Sequence, residues 1–292
     1  MSKFTRKFDV LKKTRQLTAD ALALTLKELM GGSEPISETA FANKWYKHLK
    51  ANPNIFPEGW YMPPPHGIEV LFGTQEQVAR VSPKSARVKE FWARGNVYLD
   101  RSKGITQVFA SPVDRQTAMI GDFGLTLYFG NNKAMINHLK NVYALTIEIA
   151  EWVKTGMSLA EIFNYGHALM AKRRVKSDLS SPTDPTGTNI GHTIPFLGEN
   201  MSREEATIFS SSDWAQIKDM ISKKRKFLNK TEKLVIKPGM GITIEPRPEA
   251  PARHNIPTAL FHTVILFKND GQKEILTGFD EIFRIAGMDY VL

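Results

Sequence analysis

Gly191-His192-Thr193-Ile194-Pro195 and Pro238-Gly239-Met240-Gly241-Ile242-Thr243-Ile244-Glu245-Pro246 are the two phrases that decide how this chain folds. The second alternates apolar and polar residues after a glycine and stops at a proline. That pattern predicts a short strand from Gly241 to Glu245. The first sets an imidazole directly after a glycine. Imidazole and carboxylate are both good ligands for a divalent cation, and these two can meet only through folding. The chain has no cysteine, so any metal must sit on His, Asp or Glu.

Working outward, Thr18 to Met30 reads as a helix closed by Gly31-Gly32. Ser37-Glu38-Thr39 opens another, with Phe41, Trp45 and Leu49 on one face. The phrase from Gly59 to Gly67 must be irregular, because three consecutive prolines cannot donate to a ladder. Strands are expected over Ile68 to Phe72 and Gly104 to Ala110, with a longer glycine-broken β segment over Ala118 to Phe129. Met135, Leu139, Val142, Ile149 and Val153 then form a helical stripe that ends at Gly156. Ser158-Leu159-Ala160-Glu161 has capping-box spacing, and Ser202-Arg203-Glu204-Glu205 offers another cap. Lys176 to Thr188 reads as an exposed polar loop. Leu260 to Phe267 and Glu274 to Thr277 are strands around a turn at Asn269-Asp270-Gly271. Helices followed by strands in both halves predict an α+β fold with a mainly antiparallel sheet.

The 292 residues are 42% apolar and 24% charged, as in an ordinary globular protein. No run approaches the ~20 apolar residues of a membrane span, and the basic start lacks the apolar stretch of a secretory signal. A cytoplasmic location and no membrane partner are the expectation. The net charge of +9 suits an anionic small molecule. Its densest cluster is Lys223-Lys224-Arg225-Lys226, which reads as a solvated helix end, with a binding patch as the alternative. No nucleic-acid motif surrounds it, so nucleic acid is not the expected partner.

On these phrases the chain resembles the pita-bread family of methionine aminopeptidase, aminopeptidase P, prolidase and creatinase. The resemblance runs from about Thr18 to Thr277 and implies a single pita-bread domain over residues 1–292, without a further N-terminal domain. It implies pseudo-symmetric halves, each a curved antiparallel sheet backed by helices, around a cleft. The family's metallopeptidases hold two metal ions on two aspartates, one histidine and two glutamates. Asp122, in Gly121-Asp122-Phe123-Gly124, resembles the second aspartate, His192 the histidine and Glu245 the first glutamate. Phe261 stands where the resemblance puts the second glutamate. At the first aspartate the alignment meets Ser111 or Phe109, with Asp114 and Asp100 as alternatives that a shifted loop could bring in.

What survives implies one divalent ion (Mn, Fe, Zn or Co) on Asp122, His192 and Glu245, or a site that has dispensed with metal. Phe261, if it faces the cleft, would dry the site, and restoring Glu there is expected to raise the metal content. His66, His262 and Glu199 are candidates for proton transfer or substrate contact. The resemblance implies a divergent hydrolase or lyase acting on a small peptide-like or amide substrate, in an assembly that could be a homodimer. A non-catalytic binding module that keeps the cleft is the alternative.

Overall fold

The computed structural model describes residues 3–61, 64–77, 80–81, 88–177, 184, 187–250 and 256–292. The expected loop over 176–188 lies largely outside them, as do residues 62–63 of the proline phrase.

The first half opens with α1 (Lys3–Met30) and α2 (Glu38–Lys50), followed by β1 (Ile68–Gly73), β2 (Ile105–Ala110) and β3 (Phe123–Tyr128). The helix α1 begins well before the predicted start at Thr18. Its inner face there carries Leu11, Thr14, Arg15 and Thr18, all buried, so the apolar period is masked by polar residues. The threonine hydroxyls are satisfied within the helix, Thr14 donating to the Val10 carbonyl and Thr18 to that of Thr14, each at 2.8 Å. The cap of α2 is as expected, the Ser37 hydroxyl accepting from the Ala40 N–H at 3.1 Å. Phe41, Trp45 and Leu49 are buried on its inner face, each contributing on the order of 2 kcal/mol through the apolar area withdrawn from water. Buried Glu38 ties α2 to the sheet by accepting from the Phe72 N–H at 2.6 Å and the Arg94 N–H at 3.0 Å, and by pairing with Arg80.

The second half runs α3 (Lys133–Trp152), α4 (Leu159–Lys172), α5 (Arg203–Ser210), α6 (Trp214–Lys224), β4 (Gly241–Ile244), β5 (Thr263–Phe267), β6 (Lys273–Leu276) and α7 (Asp280–Ile285). The capping box predicted at Ser158 forms with Glu161, and the cap offered at Ser202 also forms as a box, with Glu205. The fold is therefore α+β, as expected.

Both sheets are antiparallel, in the orders β1-β2-β3 and β4-β5-β6. They are joined through the segment leading into β5. The Thr126 N–H donates to the Leu260 carbonyl and the His262 N–H to that of Gly124, each at 2.9 Å. On the other side of β4, residues 190–194 add an edge, with the Thr243 N–H donating to the His192 carbonyl at 2.7 Å and the Ile194 N–H to that of Gly241 at 2.8 Å.

Alternation along the strands then decides which side chains face inward. Ile242 and Ile244 pack against α3 and α4, and Phe123, Leu125 and Leu127 pack into the core of the first half. Because successive side chains point to opposite faces, Asp122 and Glu245 are turned to the face away from those helices. The start of β3, the entry to β5, the 190–194 edge and the exit of β4 meet there.

Candidate metal centre

Asp122, His192, Glu245 and His262 converge at that meeting point. They are exposed by only 2%, 3%, 7% and 0%, so the charges of this site are almost fully withdrawn from water. His192 Nε2 lies 4.0 Å from Asp122 Oδ2 and 3.6 Å from Glu245 Oε1. Side-chain ligand atoms of Asp122, His192 and His262 lie within 4.8 Å of one another.

His192 is held in place by its backbone. Its N–H donates to the Thr243 hydroxyl at 3.0 Å, and its carbonyl accepts from the Thr243 N–H. The preceding residue must be glycine: at φ 151° the backbone of Gly191 presses on the Thr243 carbonyl, where any Cβ would collide. The ring Nδ1 lies 2.9 Å from the Thr193 carbonyl, which can only accept. Nδ1 therefore carries the proton, and the Nε2 lone pair faces the two carboxylates.

Each carboxylate is anchored through one oxygen and turns the other to the imidazole. The indole N–H of Trp60 donates to Asp122 Oδ1 at 2.6 Å, while Oδ2 is buried with no hydrogen-bond partner. Arg247 pairs with Glu245 Oε2 at 3.3 Å, leaving Oε1 toward His192. Burial, reinforced by Glu245, pushes the Asp122 carboxyl up to about 7, although the Trp60 N–H, Arg225 and Arg15 act against it. Burial and then Arg225 bring His192 down to about 3, so the imidazole is neutral. His192 Nε2 and one oxygen of each carboxylate thus face one another across 3.6 and 4.0 Å with the imidazole lone pair between them, an arrangement that favours a cation. An orphaned buried oxygen on Asp122 and an imidazole lone pair on His192, with one oxygen of Glu245 3.6 Å from that lone pair, make a donor set that suits a divalent ion.

A second ion finds no comparable set among the described residues. Phe109 is buried and meets the His262 ring edge-on at 6.0 Å, and the Ser111 hydroxyl bonds to the Tyr61 N–H and the Gly67 carbonyl. Neither alternative aspartate fills the gap. Asp114 Oδ1 caps its own turn through Gln116 and Thr117, and Asp100 Oδ1 caps another through Ser102 and Lys103.

Phe261 packs in the core and does not face the cleft, so the condition under which it would dry the site is not met. It lies among Tyr143, Phe279 and Phe283, at ring-centre distances of 5.3, 6.1 and 5.8 Å, on the helical side of the sheet. The alternation that places Ile265 and Phe267 on that side places Phe261 there too, and turns His262 inward. Of the other candidates, His66 has left-handed backbone at φ 58°, with Nδ1 2.8 Å from Glu58 and its ring stacked on Tyr46 at 4.0 Å. Glu199 is exposed, 3.6 Å from Lys224. Neither joins the cluster.

Three site residues escaped the sequence reading. Trp60 lay inside the phrase set aside as irregular. Arg225, expected on a solvated helix end, is buried with its guanidinium 4.4 Å over Trp60 and 4.9 Å over Phe227. Arg15 is buried in α1 and had a readable signal: it interrupts the apolar face Leu11, Ala19, Leu22, Leu26 at helical spacing.

No family model matches the chain and no curated protein sequence does. Solved structures do match in fold. An X-Pro aminopeptidase from Thermotoga maritima superposes with a TM-score of 0.62 at 10% identity, over 95% of this chain and 62% of its own. A prolidase from Pyrococcus furiosus gives 0.60 at 13%, over 95% and 64%. An X-prolyl aminopeptidase from Caenorhabditis elegans, described as a cytosolic enzyme with a di-nuclear active site, gives 0.61 at 12%, over 93% and 38%. The chain thus has the pita-bread fold and spans less than two thirds of the length of each of these structures. Among the described residues no helix is long and apolar enough to cross a membrane.

Proposed function

We propose that this protein is a divergent peptidase-like hydrolase with a mononuclear metal centre, acting on a small peptide-like or amide substrate that bears a carboxylate. The observation that carries it is the lone pair of His192 Nε2 facing Asp122 Oδ2 and Glu245 Oε1 in a buried site. Asp122, His192 and Glu245 would hold the ion. When bound, a divalent ion supplies Lewis acidity and lowers the pKa of a water ligand toward neutrality.

The rest of the chemistry belongs to the chain. Trp60 and Arg247 each fix one oxygen of a carboxylate, so the other oxygen is aimed before substrate arrives. Asp122, with its carboxyl near 7, is the group that can take up or release a proton at neutral pH in the metal-free site. Arg15, Arg225 and Arg247 all act electrostatically on the cluster, which favours an anionic substrate over a cationic one. A non-catalytic binding module is the second reading, favoured by Phe109, an apolar ring packed on His262 where the resemblance allows the first aspartate.

Elemental analysis of protein never exposed to chelator or nickel resin tests the proposal. One divalent ion per chain is expected, falling to none in His192→Ala. Two ions per chain would refute it. Slow hydrolysis of Met- or Pro-containing dipeptides that disappears in His192→Ala favours the enzyme, and brisk hydrolysis contradicts the one-ion site.

A further inference from the structure

His262 enters the cluster from the strand opposite His192, and its ring is held from behind. The Arg15 guanidinium donates through Nη1 to the Asp122 carbonyl, and through Nη2 to the carbonyls of His262 at 2.5 Å and Thr277 at 2.9 Å. Nη1 also lies 3.2 Å from His262 Nδ1. A guanidinium has only donors to offer, so Nδ1 must accept, and a neutral ring that accepts at Nδ1 carries its proton on Nε2. A cationic ring would turn an N–H toward the guanidinium, so the contact at Nδ1 fits only the neutral ring. His262 Nε2 is buried and has no hydrogen-bond partner. The two imidazoles of the cluster are thus opposites: His192 presents a lone pair and His262 an N–H.

We propose that Arg15 is a positioning residue that locks His262 as an Nε2–H donor, so that His262 hydrogen-bonds the substrate's oxygen and does not ligate the metal. This rests on the mononuclear reading above and extends it to the substrate side. A fixed, desolvated donor beside the ion's place can stabilise negative charge on a substrate carbonyl or carboxylate without reorganising. It also gives the cluster its asymmetry: three acceptors for a cation and one donor for an anion.

Long-range proton–nitrogen spectra of the full-length protein with 15N-labelled histidine read the tautomers directly, zinc-free and zinc-loaded. His262 should show a protonated Nε2 and an unprotonated Nδ1 in both, and His192 the reverse. In Arg15→Met an Nδ1–H population of His262 should appear, and Arg15→Lys should restore part of the native pattern. Millimolar Gly-Pro should shift the His262 Nε2–H resonance. Zinc affinity should change less than about threefold in His262→Gln and His262→Leu, while Gly-Pro should bind about tenfold more weakly to the Leu variant than to the Gln variant, which keeps an N–H. That tenfold ratio corresponds to ~1.4 kcal/mol, the worth of one ordinary hydrogen bond. A native Nδ1–H tautomer, loss of zinc in His262→Leu, an unmoved Nε2–H resonance, or equal Gly-Pro affinity of the two variants would each overturn the proposal. Should the wild-type protein bind no zinc at all, the mononuclear reading fails by itself, and the zinc-free spectrum still decides the tautomer.

Discussion

His138, on α3, shows how one buried side chain can set a pH response. It is buried beside the carbonyls of Pro248 and Pro257, yet burial outweighs them and brings the ring down to about 4. Between pH 6.5 and 4 the unfolded chain therefore takes a proton that the folded one refuses. Its contribution to stability is complete above 6.5 and is lost as pH falls toward 4, by roughly 3 kcal/mol for a shift of this size. Urea midpoints measured from pH 7 to pH 4.5 should fall less steeply in His138→Gln than in the wild type. Parallel slopes would show that this ring does not drive the response. The same balance was readable in advance only in part. A histidine on an apolar helical stripe announces burial, but the direction of its pKa depends on neighbours brought in by Pro248 and Pro257, far along the chain.

At the level of single elements, β5 carries the most instructive difference. The matching phrase around Leu260 to Phe267 was legible because apolar β-branched residues and a downstream turn mark a strand. Which side each residue faces was legible too: Phe261, Ile265 and Phe267 alternate as one row, and the helices cover that row. The resemblance set Phe261 at a ligand position and left its facing open, and the pleat places it in the aromatic cluster on α3 and α7. Phe261→Glu should therefore lower stability by at least ~3 kcal/mol, through a buried unpaired charge, and leave metal content unchanged. A gain of a second ion in that variant, measured by elemental analysis alongside its melting curve, would return Phe261 to the cleft. By contrast, the start of α1 was obscured because Thr14, Arg15 and Thr18 interrupt its buried face after Leu11. Polar residues that satisfy one another inside a fold erase the periodicity by which a helix is found.

Across the whole molecule, the site is assembled from parts distant in sequence. Asp122 comes from the first sheet, His192 from an edge added to the second, Glu245 from the exit of β4 and Arg15 from α1, which clamps carbonyls at the ends of both sheets. The ligand phrases could be read from the sequence because each depends on local backbone, such as Gly191 pressed against Thr243. Trp60 and Arg225 could not, since their places come from long-range packing, Trp60 on Asp122 and Arg225 stacked on Trp60, while Arg15 behind His262 showed only as a break in an apolar helical face. The most direct test is a crystal soaked in manganese and measured for anomalous scattering. One peak bonded to Asp122, His192 and Glu245, with His262 Nε2 outside its coordination shell, is the expected result; a pair of peaks a few ångströms apart, or a single peak ligated by His262, would contradict it.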